Sequence, residues 1–204
     1  MPTVFLLSPA YCGGRRAKIL LKPGSTLAIA ERLRAGVLTL GEAFTFCSGL
    51  YFRGKITYAR AFAPDATFVI TPTRGLQPPA TIVTDAVLRE FAGVDIASDD
   101  RRYRRPLERD LRALAAQLPE GGRVVLLGSV ATGKYVDVLT RALGPRLHFP
   151  PSFVGRGDMS RGGLLLRHAA SGVELEYASL EANTIRHGPR PPKLDPRTRV
   201  AFSA

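Results

Sequence analysis

Residues 124–143, VVLLGSVATGKYVDVLTRAL, decide the fold class. Val124–Leu127 is an uninterrupted apolar run of strand length, the kind that is buried on both faces of a sheet. Gly128 ends it, and after a short turn the sequence predicts a helix over roughly Lys134–Leu143. A buried strand leading directly into a helix is the repeating unit of an α/β sheet.

The flanking sequence extends that reading. Upstream, Thr3–Leu7 reads as a short buried strand ended by Ser8-Pro9, and Ala66–Thr71 as another, ended by Pro72 and the Arg74-Gly75 turn. Between them, Ser25 is the expected N-cap of a helix over Thr26–Ala35 that Gly36 ends. Leu40–Ala63 reads as two helical pieces broken at Ser48-Gly49. In the second piece Phe52, Ile56, Ala59 and Ala63 share one face, with Arg53, Lys55 and Arg60 expected to project elsewhere. A short helix is expected over Asp85–Phe91, and an exposed polar run over Asp99–Arg105. Pro106 is then placed at the first helical position of an amphipathic helix in which Leu107, Leu111, Leu114 and Leu118 recur at helical spacing. Downstream, Leu164–His168 and Val173–Tyr177 read as a hairpin, and residues from His187 onward as an extended Pro- and Arg-rich tail. The expectation is a mixed α/β fold: one compact domain over 1–186 with a central mixed sheet and a C-terminal hairpin, followed by a basic tail over 187–204.

Composition narrows the partners. Lys and Arg total 29 against 17 Asp and Glu, a formal net charge of +12. A surplus of that size attracts polyanions, and it gathers in four clusters: Arg15–Lys18, Arg53–Lys55, Arg101–Arg105 and Arg186–Arg199. With no Trp and 6 Tyr, stacking platforms for single strands are few. No apolar run approaches the roughly 20 residues that span a bilayer, and the opening segment lacks a basic leader. A cytoplasmic protein without membrane contact is expected. Cys12 and Cys47 form no CxxC, and His148, His168 and His187 have no close partner, so neither a metal site nor a cofactor is expected. Cys47, flanked by Phe44 and Phe46, reads as core.

Two motifs concern anions. Gly128–Lys134 fits G-x-x-x-x-G-K between a strand and a helix, the pattern of a phosphate-binding loop. The next residue should be Ser or Thr to ligate Mg²⁺, and it is Tyr135, which favours at most a turn that binds an anion through its amides. Gly155–Gly163 holds Arg156 and Arg161 around Asp158, either as paired guanidinium forks for phosphates or as an ordinary surface turn.

Several islands, in order along the chain, resemble the YaaA family of peroxide-stress proteins: Leu7-Ser8-Pro9-Ala10, Phe46–Tyr51, Ile70–Pro79, Leu127-Gly128-Ser129 with Tyr135, and Arg156–Arg161. The last is closest, similar to Arg-Gly-x-Met-x-Arg. Tyr11 stands where the family has lysine, Gly49 where it has an acidic residue, and Arg74 where it has tyrosine. The resemblance implies a compact mixed α/β fold, a cytoplasmic location and DNA binding through a helix-hairpin-helix element, for which Leu33–Ala43 is the candidate here. Such a hairpin holds phosphates by backbone amides.

The leading expectation is therefore a sequence-nonspecific binder of DNA, with RNA as the other polyanion, acting in DNA protection or repair. Arg15, Arg16, Arg53, Lys55, Arg74, Lys134, Arg156 and Arg161 are its expected phosphate contacts. The second is an enzyme on a nucleobase, such as an N-glycosidase, with Asp158 stabilising an oxocarbenium-like state and Ser8, Ser48, Tyr51, Gly75 and Ser129 forming its pocket at strand ends. A nucleotide binder built on Gly128–Lys134 ranks third.

Overall fold

A computed structural model describes residues 2–97, 99–131, 133–181 and 184–194. Its core is a sheet of six strands, β1 (Thr3–Leu7), β2 (Thr67–Ile70), β3 (Leu76–Gln77), β4 (Arg123–Leu127), β5 (Leu147–Phe149) and β6 (Ala178–Ser179), in the spatial order β3-β2-β1-β4-β5-β6. The four inner strands are parallel, and each short edge strand is antiparallel to its neighbour. The mixed sheet expected from sequence is thus present, and Leu7 stands level with both Val69 and Leu127.

From β1 the chain crosses to β2 on one side; from β4 it crosses to β5 on the other. The order reverses between β1 and β4, and at such a point the connections leave in opposite directions and open a crevice beyond the strand ends. Alternation along the strands feeds two cores. Phe5, Leu7, Val69, Val125 and Leu127 face one helical layer; Leu6, Ile70, Val124 and Leu126 face the other.

The first layer holds α1 (Arg15–Leu20), α2 (Ala28–Arg34), α3 (Leu40–Ser48), α4 (Leu50–Phe62) and α5 (Asp85–Ala92). Gly49, at φ 66°, is both the last cap of α3 and the first of α4, which is the expected break. The start of α2 differs from expectation: Leu27 is its N-cap and Ser25 lies outside it, while the helical cap with a full reciprocal bond is Thr39 with Glu42, at α3. In the turn between α2 and α3, the amides of Gly36, Val37, Leu40 and Gly41 donate to Leu33, Arg32, Thr81 and Pro79 carbonyls. The amides a phosphate-gripping hairpin would offer are thus bonded within the chain.

On the other face lie α6 (Arg101–Gln117) and α7 (Gly133–Leu143). Here Pro106 is internal rather than first. Asp100 caps the helix by accepting from the Arg102 amide, and Arg101–Arg105, expected as an exposed run, forms its opening turns with Tyr103 fully buried. One turn of propensity loss at proline is outweighed by burial of Tyr103, Leu107 and Leu111.

The expected hairpin over Leu164–Tyr177 is overturned. Leu164–His168 belongs to α8 (Asp158–Ser171), Gly172 is its left-handed C-cap at φ 70°, and residues 173–177 form no strand. The apolar Leu164–Leu166 run has the length of a strand, and contact with α4 decides otherwise. A Cβ on Gly162 would stand 2.7 Å from the Leu50 carbonyl oxygen, and one on Gly54 2.6 Å from that of Gly162. The two helices cross backbone to backbone. The described part of the tail runs along the domain: Pro189 lies against Gly155, and Leu194 packs on the first core. Residues 195–204 of the expected tail lie outside the described residues. Among the described residues no helix is long and apolar enough to cross a membrane.

Candidate functional site

A cleft of about 1090 Å³ opens at the reversal between β1 and β4. Ser8 follows β1 and Ser129 follows β4; α1 supplies Arg15 and Arg16, the end of α3 supplies Ser48, α4 supplies Tyr51, α7 supplies Lys134, and α8 supplies Asp158 at its first position. Four of the five residues expected to form a pocket, Ser8, Ser48, Tyr51 and Ser129, meet here together with Asp158. Gly75 does not. It turns the chain between β2 and β3, where a Cβ would run into the Pro106 carbonyl and the Asp110 carboxylate.

The eight expected phosphate contacts separate. Arg15, Arg16 and Lys134 border the cleft, all exposed. Arg53 lies on the far side of α4, in a shallower groove beside Arg60. Arg74 is engaged by Glu90, with 2.9 Å between Nη2 and Oε2. Arg156 donates to the Ser152 carbonyl (2.9 Å) and to Ser160 Oγ (3.1 Å), which ties it to the start of α8.

Lys55 and Arg161 are buried, so neither presents its charge at the surface. Arg161 Nε donates to the Phe153 carbonyl at 3.1 Å and Nη1 to Asp158 Oδ1 at 3.3 Å. Lys55, expected to point outward, is only 1% exposed. Its Nζ donates to the Ser8 carbonyl at 2.7 Å, lies 2.9 Å from Ser8 Oγ, and sits over the Tyr51 and Phe52 rings at 4.4 and 4.8 Å. Burial pulls this ammonium down from 10.5 to about 7; Asp158 opposes the shift and Arg161 adds to it.

Around the pair, burial raises both tyrosine phenols. The buried hydroxyl of Tyr51 has no hydrogen-bond partner. Tyr135 is raised by burial and partly restored by bonds to Ser8 and to the Ser129 carbonyl, to which its hydroxyl donates at 2.9 Å. That bond and the one from the Ala131 amide to Ser129 Oγ (3.4 Å) fix Ser129 in place, and Ser129, Lys134 and Tyr135 form one wall of the cleft.

Cys12 and Cys47 line the same cleft, and Cys47 is half-buried and packs against the first core. A shared hydrogen bond raises the Cys12 thiol, as burial does. The same bond and the field of Arg16 lower Cys47 against the opposing effect of burial. Among the described residues, no three His, Cys, Asp or Glu side chains gather as a metal-binding set.

No protein-family model, curated protein or solved structure matches this chain.

Sequence reasoning named Lys55 as a phosphate contact and missed that it is buried. The signal was nonetheless present: Lys55 follows Tyr51 by four residues and precedes Ala59 by four, which places it within the apolar stripe of α4.

Proposed function

We propose that the chain binds a strand of nucleic acid and takes one nucleotide unit into the cleft between β1 and β4, with the phosphate held by Arg15, Arg16 and Lys134. The observation that carries this reading is the gathering of three unpaired cations at one cleft. Among the described residues none of these three is ion-paired, whereas Arg32, Arg74, Arg89, Arg102, Arg104 and Arg109 each meet a carboxylate. The three stand together, with no carboxylate partner among those residues, at the mouth of a crevice of nucleotide size, in the position where α/β sheets take their ligands.

Anisotropy of a short labelled duplex and of the matching single strand, at about 50 and 200 mM salt, tests it. Affinity is expected to fall steeply with salt. Replacing Arg15, Arg16 and Lys134 together by Ala is expected to flatten the log–log slope by roughly 0.9 for each phosphate contact removed. Binding indifferent to salt, or an unchanged slope in the triple variant, would refute the reading.

A further inference from the structure

We propose that Ser8 and Lys55 are a nucleophile and its general base, and that Ser8 Oγ attacks a phosphodiester of the strand bound in the cleft. The choice of substrate rests on the nucleic-acid reading above; the pairing of Ser8 with Lys55 does not.

The geometry has three parts. Ser8, itself 5% exposed, lines the cleft and Lys55 does not, so the serine stands between the cleft and the amine. Lys55 Nζ is 2.7 Å from the Ser8 carbonyl and 2.9 Å from Ser8 Oγ. A neutral amine has two N–H groups and one lone pair. With one N–H given to the carbonyl, the lone pair is free to take the Ser8 hydroxyl hydrogen bond. Finally, the Tyr51 and Phe52 rings close over the amine and exclude water from it.

Burial supplies the protonation state. An ordinary lysine is fully charged at neutral pH and cannot accept a proton; one drawn down to about 7 is neutral about half of the time there. The charged and titratable groups around it are Tyr51 on its own helix, Asp158 and Arg161 from α8, and Tyr135 from α7 through Ser8.

In the reaction, the Ser8 proton passes to Lys55 Nζ as the bond from Oγ to phosphorus forms. The bond from phosphorus to the leaving sugar oxygen breaks, and that oxygen takes the proton back from Lys55. The product is a phosphoserine diester. Water then gives a proton to Lys55 and attacks phosphorus; Ser8 Oγ leaves and recovers the proton. The cations at the cleft mouth offset the charge that gathers on the phosphoryl oxygens.

The test uses the full chain and an alkyl fluorophosphonate, a phosphorus electrophile that needs no strand binding. Peptide-level mass spectrometry is expected to find the adduct on Ser8, none in Ser8→Ala, and a rate lower by on the order of 100-fold or more in Lys55→Met. The wild-type rate is expected to rise with pH about a midpoint near 7. Lys55→Met removes a buried charge and keeps the apolar stem, so it folds. An adduct elsewhere, or an equal rate in Lys55→Met, overturns the pair. A second arm compares bis(p-nitrophenyl) phosphate with p-nitrophenyl acetate. Turnover of the diester that depends on Ser8 supports the phosphodiester assignment; turnover of the ester alone overturns it in favour of acyl transfer. Labelled Ser8 in a chain that binds no strand would refute the nucleic-acid reading and leave the pair intact.

Discussion

Two strand-to-helix turns meet at the reversal of the sheet, one after β1 and one after β4, and they differ in a way their sequences conceal. The turn after β4 has glycines and Lys134 at the spacing of a phosphate-binding loop, yet Tyr135 is buried behind it and bonds the Ser129 carbonyl. The turn after β1, Ser8-Pro9-Ala10-Tyr11, has no such motif, yet its first residue meets a buried amine that arrives from 47 residues downstream. A motif counts amides along the chain. The chemistry of a turn depends on what the fold places behind it, and behind Ser8 it places the crossing of α4 and α8.

The strongest way to break this contrast is to force that crossing apart. In Gly162→Ala the new methyl would stand 2.7 Å from the Leu50 carbonyl and 2.9 Å from the Tyr51 α-carbon, both backbone atoms that cannot rotate away. Overpacking of this kind costs about 1–3 kcal/mol, and the upper part of that range is expected in urea titrations. The control is Gly133→Ala at the start of α7, where the nearest neighbour is the mobile Asp137 carboxylate. Its gain in helix propensity is at most about 1 kcal/mol, so stability there is expected to hold or rise slightly. Equal losses at both glycines would mean that the two turns are supported alike.

Next in size is the pH dependence of stability contributed by Lys55. Unfolded, its ammonium titrates near 10.5; folded, near 7. Below pH 7 both states are charged and burial opposes folding in full. Between pH 7 and 10.5 the unfolded chain holds a proton that the folded one has shed, so stability rises with pH, and above that window the gain is complete. The slope for one proton is at most about 1.4 kcal/mol per pH unit. Urea unfolding of wild type and Lys55→Met from pH 6 to 9.5 is expected to show the variant more stable at pH 6 and the difference narrowing upward from pH 7. Parallel curves would mean that Lys55 titrates normally and that the β1 turn lacks the perturbed base on which its distinction rests.

How far the sequence disclosed all this follows the range of the forces involved. The inner strands were legible because strands buried on both faces are continuous apolar runs, as in Val124–Leu127. The break at Gly49 was legible because one residue sets it. What failed depended on distant contacts. Leu164–Leu166 suits either a strand or a helix, and Gly54 on α4 settles the choice by admitting Gly162. Edge strands of two residues, such as β3 and β6, have no period to read. For the site, Ser8, Ser48, Tyr51 and Ser129 could be nominated because ligands gather at strand ends. Lys55 was misread because a lysine is assumed to seek water. The spacing on α4 places its stem in the apolar stripe, and only the three-dimensional path brings its amine to Ser8.

The smallest expected effect belongs to Lys134, and it gives the comparison its sharpest form. If the β4 turn were a working phosphate loop, Lys134→Ala would abolish ATP binding, because that lysine reaches the β- and γ-phosphates. In the arrangement found, Lys134 is an exposed cation at the cleft mouth, and Tyr135 occupies the turn behind it. Stability is then expected to change by no more than about 0.5 kcal/mol, as for an exposed substitution. The salt slope for strand binding is expected to shrink by about 0.9, the share of one phosphate contact. ATP, titrated by calorimetry into wild type and variant, is expected to bind the variant more weakly by the share of one rim contact, without loss of binding. Binding that Lys134→Ala removes would return the phosphate site to the β4 turn and reverse the ranking of the two. A unit change in slope with ATP still bound would leave Lys134 as one of three rim charges, with the turn after β1 as the reactive one.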